Sequence, residues 1–234
     1  MLKKLMLAAT GTALMLGALA VPAAANSTAT VFNLNGMAGV KVDMCNAGQE
    51  HISWLKYGRV AKLNAVPAGT HTIKIKKAAS GKCKGRKLAK AQITFEAGKN
   101  YTLVFWKPFK KVLIRVFEND LTLPSADAAT RSVRHTASKP TKINVWLWVH
   151  VKPAADAFPP TIRNLRRGKS SAPIVHRAGQ VLVDVFPAVR TKKFIWEGYW
   201  ANAPAGTASQ LYLIGNATKN FDLVGIRQAG VFTP

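Results

Sequence analysis

One pattern, a short apolar strand, a basic loop and an Ala-Gly turn into another strand, runs from Val31 to Leu123 and again from Arg131 to Phe232. Gly39-Val40-Lys41-Val42-Asp43 aligns with Lys142-Ile143-Asn144-Val145-Trp146. The stretch from Pro67-Ala68-Gly69 to Ile75 aligns with Arg177-Ala178-Gly179 to Val185. Glu96-Ala97-Gly98 to Leu103 aligns with Pro204-Ala205-Gly206 to Leu211. The anchors keep one order at separations of 103, 110 and 108 positions. Two copies of one all-β unit of about a hundred residues follow from that spacing.

The strand candidates are short, rich in Val, Ile, Leu and aromatics, and separated by Gly, Pro and Asn turns. In the first unit they lie near Thr30 to Leu34, Gly39 to Met44, His51 to Leu55, Val60 to Val66 and Gly69 to Lys76. Leu88 to Phe95, Asn100 to Trp106 and Val112 to Asn119 complete it. The second unit gives Arg131 to Thr136, Lys142 to His150, Ala157 to Leu165, Ser171 to Val175 and Gly179 to Pro187. Phe194 to Ala201, Ala208 to Ile214 and Asp222 to Gln228 follow. Alternation is clearest in Thr70 to Lys76, where His71, Ile73 and Ile75 share one side and Thr72, Lys74 and Lys76 the other. No apolar period of 3.6 persists after the first 25 residues, so little helix is expected. The expectation is two tandem immunoglobulin-like β-sandwich modules, 26–123 and 131–234, joined by a linker at 124–130. A joint this short predicts contact between the copies.

Residues 1–25 read as a removable signal peptide. Lys3 and Lys4 form a positive start, Leu5 to Ala20 an uncharged apolar run, and Ala23-Ala24-Ala25 a small-residue cleavage site before Asn26. The run is shorter than the ~20 residues a spanning helix needs, so no transmembrane segment is expected in the mature chain. Export to the medium, the cell envelope or the cell surface follows.

Without Lys3 and Lys4, 32 Lys and Arg face 10 Asp and Glu. The excess is shared between the copies, 17 against 5 from Asn26 to Pro124 and 15 against 5 from Ser125 to Pro234. A basic tail is excluded, and both units attract polyanions: anionic cell-envelope polymers, acidic glycans, or nucleic acid without sequence preference. Solubility alone is served at least as well by Asp and Glu.

The strand followed by a Pro-Ala-Gly turn, Ala97-Gly98-Lys99-Asn100-Tyr101 before a strand, and Val116-Phe117-Glu118-Asn119-Asp120 leading to Ser132-Val133-Arg134-His135-Thr136-Ala137 form one ordered series. That series resembles the bacterial secreted "domain of unknown function 4397" proteins over nearly the whole mature chain. The resemblance implies tandem β-sandwich modules on an exported protein, with no enzymatic role to carry across. The chain departs from the pattern at Ser138-Lys139-Pro140-Thr141-Lys142 and at Arg177, which stands in place of the turn proline.

Cys45 and Cys83 are the only cysteines. In an exported protein such a pair most simply forms a disulfide, here pinning a loop between Lys82, Lys84, Arg86 and Lys87. A reactive thiol activated by those cations is the alternative. Metal chemistry is not expected, because His51, His71, His135, His150 and His176 stand singly and two sulfurs lack partners at ligand spacing. Neither a Gly-x-Ser-x-Gly elbow, a phosphate-cradling Gly-rich loop nor paired carboxylates occur, so neither catalysis nor a cofactor is expected. Asn26-Ser27-Thr28 and Asn216-Ala217-Thr218 fit the glycosylation sequon, a pattern short enough to arise by chance.

Four basic clusters with aromatics carry the functional expectation. The first holds Lys76, Lys77, Lys82, Lys84, Arg86 and Lys87, and the second Lys107, Lys110 and Lys111 with Trp106 and Phe109. The third is Arg163, Arg166, Arg167 and Lys169, and the fourth Lys192 and Lys193 with Trp196 and Trp200. Loop cations reach phosphate or sulfate oxygens, and an adjacent ring stacks on a base or a sugar. Trp146 and Trp148 share one side of a strand and are assigned to the core or to the contact between copies. The leading expectation is an exported, non-enzymatic module that binds anionic polymers through its basic loops. A neutral-glycan or protein adhesin using exposed Trp and Tyr is the alternative, and an unrecognised hydrolase is the third.

Overall fold

A computed structural model describes residues 27–80, 83–123, 125–149, 161–188, 195–216, 221–229 and 231–232. The expected leader and the cleavage site expected before Asn26, with His150, Lys82, Lys192 and Lys193, lie outside the described residues.

The first copy forms β1 (Thr28–Asn35), β2 (Val42–Asn46), β3 (Gln49–Leu55), β4 (Val60–Pro67), β5 (Gly69–Lys77), β6 (Lys87–Phe95), β7 (Asn100–Trp106) and β8 (Leu113–Glu118). The two-residue β9 (Thr122–Leu123) follows, just before the joint. The second copy forms β10 (Ala128–His135), β11 (Lys142–Val149), β12 (Ile162–Arg166), β13 (Ile174–Arg177), β14 (Gly179–Pro187), β15 (Trp196–Ala203), β16 (Thr207–Ile214) and β17 (Asp222–Ala229). β18 (Val231–Phe232) follows and runs parallel to β9. No helix occurs among the described residues. Each of the sixteen expected strands overlaps one of these; β10 begins at Ala128, three residues earlier than read from sequence, β2 and β13 begin three residues later at Val42 and Ile174, and the start of the strand expected from Ala157 lies outside the described residues. β9 and β18 are too short to leave a pattern.

Each copy is a β-sandwich, and the topology is duplicated strand for strand. The first has sheets β4-β1-β7-β8 and β3-β2-β5-β6, the second β13-β10-β16-β17 and β12-β11-β14-β15. The layered architecture is that of immunoglobulin-like domains, but the strand order differs from their ABED and CFG sheets. Here the first strand lies inside its sheet, antiparallel to the fourth and parallel to the seventh, in both copies.

Pairing corrects one of the three anchors. Val42 lies between Leu55 and Lys77, and Ile143 between Leu165 and Pro187, so the counterpart of Val42 is Ile143 rather than Val145. A slip of two residues preserves which side chains face inward, so a period-two pattern cannot detect it. The other anchors hold. Gly69 and Gly179 open β5 and β14, and Gly98 and Gly206 donate equivalent N–H bonds of 2.9 Å to Thr28 O and Ala128 O.

Period-two alternation fills the two sandwich cores. Val31, Val42, Ile73, Ile75, Phe95, Leu103 and Phe105 fill the first, and Ile143, Val145, Val181, Val183, Val185, Leu211 and Leu213 the second. Trp146 and Trp148 face away from that second core; Trp146 stacks edge-on against Phe186, and Trp148 donates its Nε1–H to Asp184 at 3.0 Å. Trp148 is nevertheless buried.

A third apolar cluster joins the copies. Phe32 and Leu34 of β1, Val104 and Trp106 of β7 and Phe117 of β8 meet Tyr212 and Ile214 of β16 and Ile226 of β17. These side chains lie on the faces opposite the two cores, so the outer faces of the β1 and β10 sheets pack on each other. The result is four stacked layers.

Candidate functional site

A buried polar latch fixes how the copies meet. Arg134 of β10 donates from Nη1 to Asn119 Oδ1 (2.5 Å) and to the Tyr212 hydroxyl, and from Nη2 to Glu118 O (2.7 Å). Its guanidinium sits 4.7 Å from the Phe117 ring centroid and 5.3 Å from that of Tyr212. Asn119 Nδ2 donates to Asn100 Oδ1 (2.5 Å) and Thr102 Oγ1 (3.0 Å), and Asn100 donates onward to Gln228 (2.5 Å). Burial raises the Tyr212 phenol pKa and lowers that of the Arg134 guanidinium. The ordered series Phe117-Glu118-Asn119 and Arg134-His135 read in the sequence is therefore this docking contact.

Docking creates a cleft of about 720 Å³ at the boundary. From the first copy it receives Lys77 at the end of β5, Arg86 and Lys87 at the start of β6, and Lys107, Lys110 and Lys111 of the β7–β8 turn. Thr136, Ser138, Gly215 and Asn216 of the second copy form the opposite wall. All six cations are exposed, and no carboxylate lines the cleft among the described residues. Two short N–H bonds hold the second wall, Thr136 to Leu213 O (2.9 Å) and Ser138 to Gly215 O (2.7 Å).

Local structure explains why these cations converge. Lys77 N donates to Arg86 O at 2.9 Å and closes the β5–β6 loop. Gly85 is required there, because a Cβ on it would stand 1.7 Å from the Lys77 carbonyl oxygen. The Cys45–Cys83 disulfide, with Cα atoms 6.2 Å apart, anchors the same loop to β2. It closes a long loop of chain and stabilises by roughly 3–4 kcal/mol. Lys76 donates its ammonium to Cys83 O, and Cys83 N donates to Glu50 Oε2 at 3.0 Å.

The basic surface continues from the cleft onto the outer face of the β3-β2-β5-β6 sheet. Lys74 stands directly opposite Lys90, and Lys76 opposite Lys87. Like charges directly opposite on antiparallel strands are destabilising.

The structure distributes the sixteen described or partly described sequence candidates unevenly. Lys77, Arg86, Lys87, Lys107, Lys110 and Lys111 come together in the cleft, and Lys76 borders it through the lysine pairs. Lys84 is exposed on the disulfide loop and does not line the cleft. Arg163, Arg166 and Lys169 line a separate shallow surface of about 550 Å³ along β12. Arg167 instead turns toward the first copy, its guanidinium 4.3 Å from the Phe109 ring centroid.

Trp106 is a correction. Expected as a surface ring, it is 5% exposed, because β7 alternation turns it into the apolar cluster between the copies. Its ring reaches Gly168 of the second copy, where an added Cβ would lie 3.7 Å away. Phe109, three residues on, is 71% exposed at the turn. Trp196 and Trp200 belong to β15 by backbone, and their side chains lie outside the described residues. Residue order concealed Ser138 and Asn216, which are uncharged, and Lys90, whose place opposite Lys74 depends on pairing register.

His71 is held between Asn46 Nδ2 (2.9 Å) and Pro67 O (2.8 Å) beside an apolar pocket of about 170 Å³. No group of three or more His, Cys, Asp or Glu able to hold a metal occurs among the described residues.

Among solved structures, the chain is similar to a streptococcal virulence factor that binds α-glucan, at 13% identity, covering 83% of this chain and 95% of that one with a TM-score of 0.29. It is also similar to the TIE protein of Bacillus anthracis, at 10% identity, covering 88% of this chain and 32% of that one with a TM-score of 0.24. Neither likeness reaches the level of a shared fold. No curated protein matches the chain. The family match runs over residues 20–146, through the first sandwich, the joint and β10 into β11, and so includes both Asn119 and Arg134. By that match the chain belongs to the family described as Domain of unknown function (DUF4397).

Proposed function

We propose that this protein is an exported, non-enzymatic binding module that captures anionic polymers of the cell envelope or surface in the cleft between its copies. The observation that carries the reading is the convergence of Lys77, Arg86, Lys87, Lys107, Lys110 and Lys111 on one cleft without a lining carboxylate. Six cations held around one groove neutralise successive anionic groups of a chain, and release of that chain's counterions drives binding. The opposed lysine pairs of β5 and β6 extend the path and carry a stability cost that an anionic ligand relieves. The disulfide fits an oxidising compartment outside the cytosol, in keeping with a leader cleaved near Ala25. In this reading the modules are 26–123 and 131–234 with the joint at 124–130, and the cleft needs both.

The test is binding of polyphosphate and of heparin at 50 and 300 mM salt. With six contacts, affinity for a single-stranded polyanion falls roughly a thousandfold across that range. The triple variant K107E/K110E/K111E loses most of the affinity and flattens the salt dependence. Binding that is flat in salt, or unchanged in the triple variant, overturns the reading.

A neutral-glycan adhesin is the second reading, and it rests on Trp54, 50% exposed with Lys41 Nζ 5.4 Å from its ring centroid. Salt-insensitive retention on a sugar matrix, lost in Trp54→Ala, would favour it.

A further inference from the structure

The six-residue turn between β7 and β8 places an apolar ring where the physics of solubility disfavours one. Pro108 is buried and anchors the turn, yet Phe109 projects from it, 71% exposed, between Lys107 and the pair Lys110 and Lys111. One face of the ring is occupied. The Arg167 guanidinium lies 4.3 Å from its centroid and is itself held by an Nη1–H bond to Ser138 O, while Arg167 N donates to Thr141 O at 2.8 Å. The second copy thus fixes the orientation of a ring carried by the first.

Beside that ring is a shallow hollow of about 1030 Å³. It shares Lys107, Lys110, Lys111, Ser138 and Asn216 with the cleft, so cleft and ring form one continuous groove. Lys139 adds a further cation at the outer end.

Resting on the polyanion reading above, we infer that single-stranded nucleic acid reaching the cell surface is one polyanion this groove takes, with one base stacked on Phe109 and its neighbouring phosphates on Lys107, Lys110 and Lys111. Alternating cations and an accessible ring are what unspecific single-strand binding requires, since every base has a π face and every linkage a phosphate. The Arg167 cation decides between a base and a sugar. A sugar face offers C–H groups of partial positive charge, which need the ring's negative face. A guanidinium on the opposite side draws that electron density toward itself and weakens the attraction. Stacking of a flat, electron-rich base on the open face is favoured by the same polarisation. A duplex hides its bases and cannot use the ring.

The test compares four probes on the full protein at 50 mM salt: fluorescent dT12, the same length of abasic deoxyribose phosphate, polyphosphate, and heparin. Loss of one base stack corresponds to roughly a five- to hundredfold weakening. Phe109→Ala is expected to weaken dT12 binding within that range while changing abasic-strand and polyphosphate binding less than twofold. Phe109→Trp is expected to keep or improve dT12 binding, and unaltered melting temperatures show that both variants fold. Equal effects of Phe109→Ala on dT12 and the abasic strand, or a selective loss of heparin, overturn the inference and leave the polyanion reading standing. Failure of all four probes to bind overturns both.

Discussion

The β3-β2-β5-β6 sheet and its duplicate turn chemically opposite outer faces outward. On β5 that face carries Lys74 and Lys76, whereas the same register on β14 carries Asp184 and Phe186. Lys74 is partly exposed across from Lys90; Asp184 is fully buried, accepting from Trp148 Nε1 and from Gly198 N (2.9 Å). Identical strand order therefore specifies only the inward residues. The outward ones have diverged, one copy toward a charged open surface and the other toward a sealed one.

Exchanging residues between the copies tests that contrast most severely at Asp184. Asp184→Lys installs the first copy's residue in a closed environment, leaves two N–H groups unpaired, and is expected to cost about 4 kcal/mol or more. Urea denaturation measures it, and a loss below about 1 kcal/mol would mean that the face is open in both copies.

A second contrast lies where β1 and β10 end. Asn35 Nδ2 donates to Val40 O (2.7 Å), and one repeat later His135 Nε2 faces Pro140 O (2.8 Å). That carbonyl can only accept, so Nε2 carries the proton. Burial first, and the Arg167 charge after it, hold His135 down at about 4 against the pull of the Pro140 bond. The unfolded chain takes up a proton near pH 6.5 and the folded one only near 4, so stability present above pH 6.5 is lost as pH falls toward 4. The expected loss is roughly 3 kcal/mol. His135→Asn copies the first module's solution and is expected to flatten this pH dependence in thermal melts between pH 7 and 4; an unchanged slope would place its origin elsewhere.

The smallest effect is expected at Lys74. Lys74→Asp removes a like-charge pair and is expected to stabilise by a few tenths to 1 kcal/mol. The same change is expected to weaken polyphosphate binding several-fold. Lower stability without a change in binding would show that the lysine face is structural.

The strands were legible because short Val- and Ile-rich runs between Gly and Pro turns leave few alternatives, and His71, Ile73 and Ile75 fall on the inner side as alternation requires. Register was less legible, as Val42 and Ile143 demonstrate, since inward and outward positions recur every second residue. The cleft was visible only in pieces. Lys77 and Lys107 belong to separate clusters, and only the packing of β7 against β16 brings a wall of uncharged residues opposite them. Trp106 and Phe109 illustrate the limit: three residues apart in one basic turn, one is sealed between sheets and the other faces water, a distinction set by where β7 stops.

The parallel pairing of Val231–Phe232 with Thr122–Leu123 ties the chain's far strand back to the segment that separates the copies. The second sandwich is thus tethered at its entry and its exit, closing a ring that resists hinge opening. On the polyanion reading proposed above, a receptor built this way meets its ligand as a preformed trough rather than a closing jaw, so the speed of capture is set by long-range attraction and the strength of retention by how many anionic groups lie within reach at once.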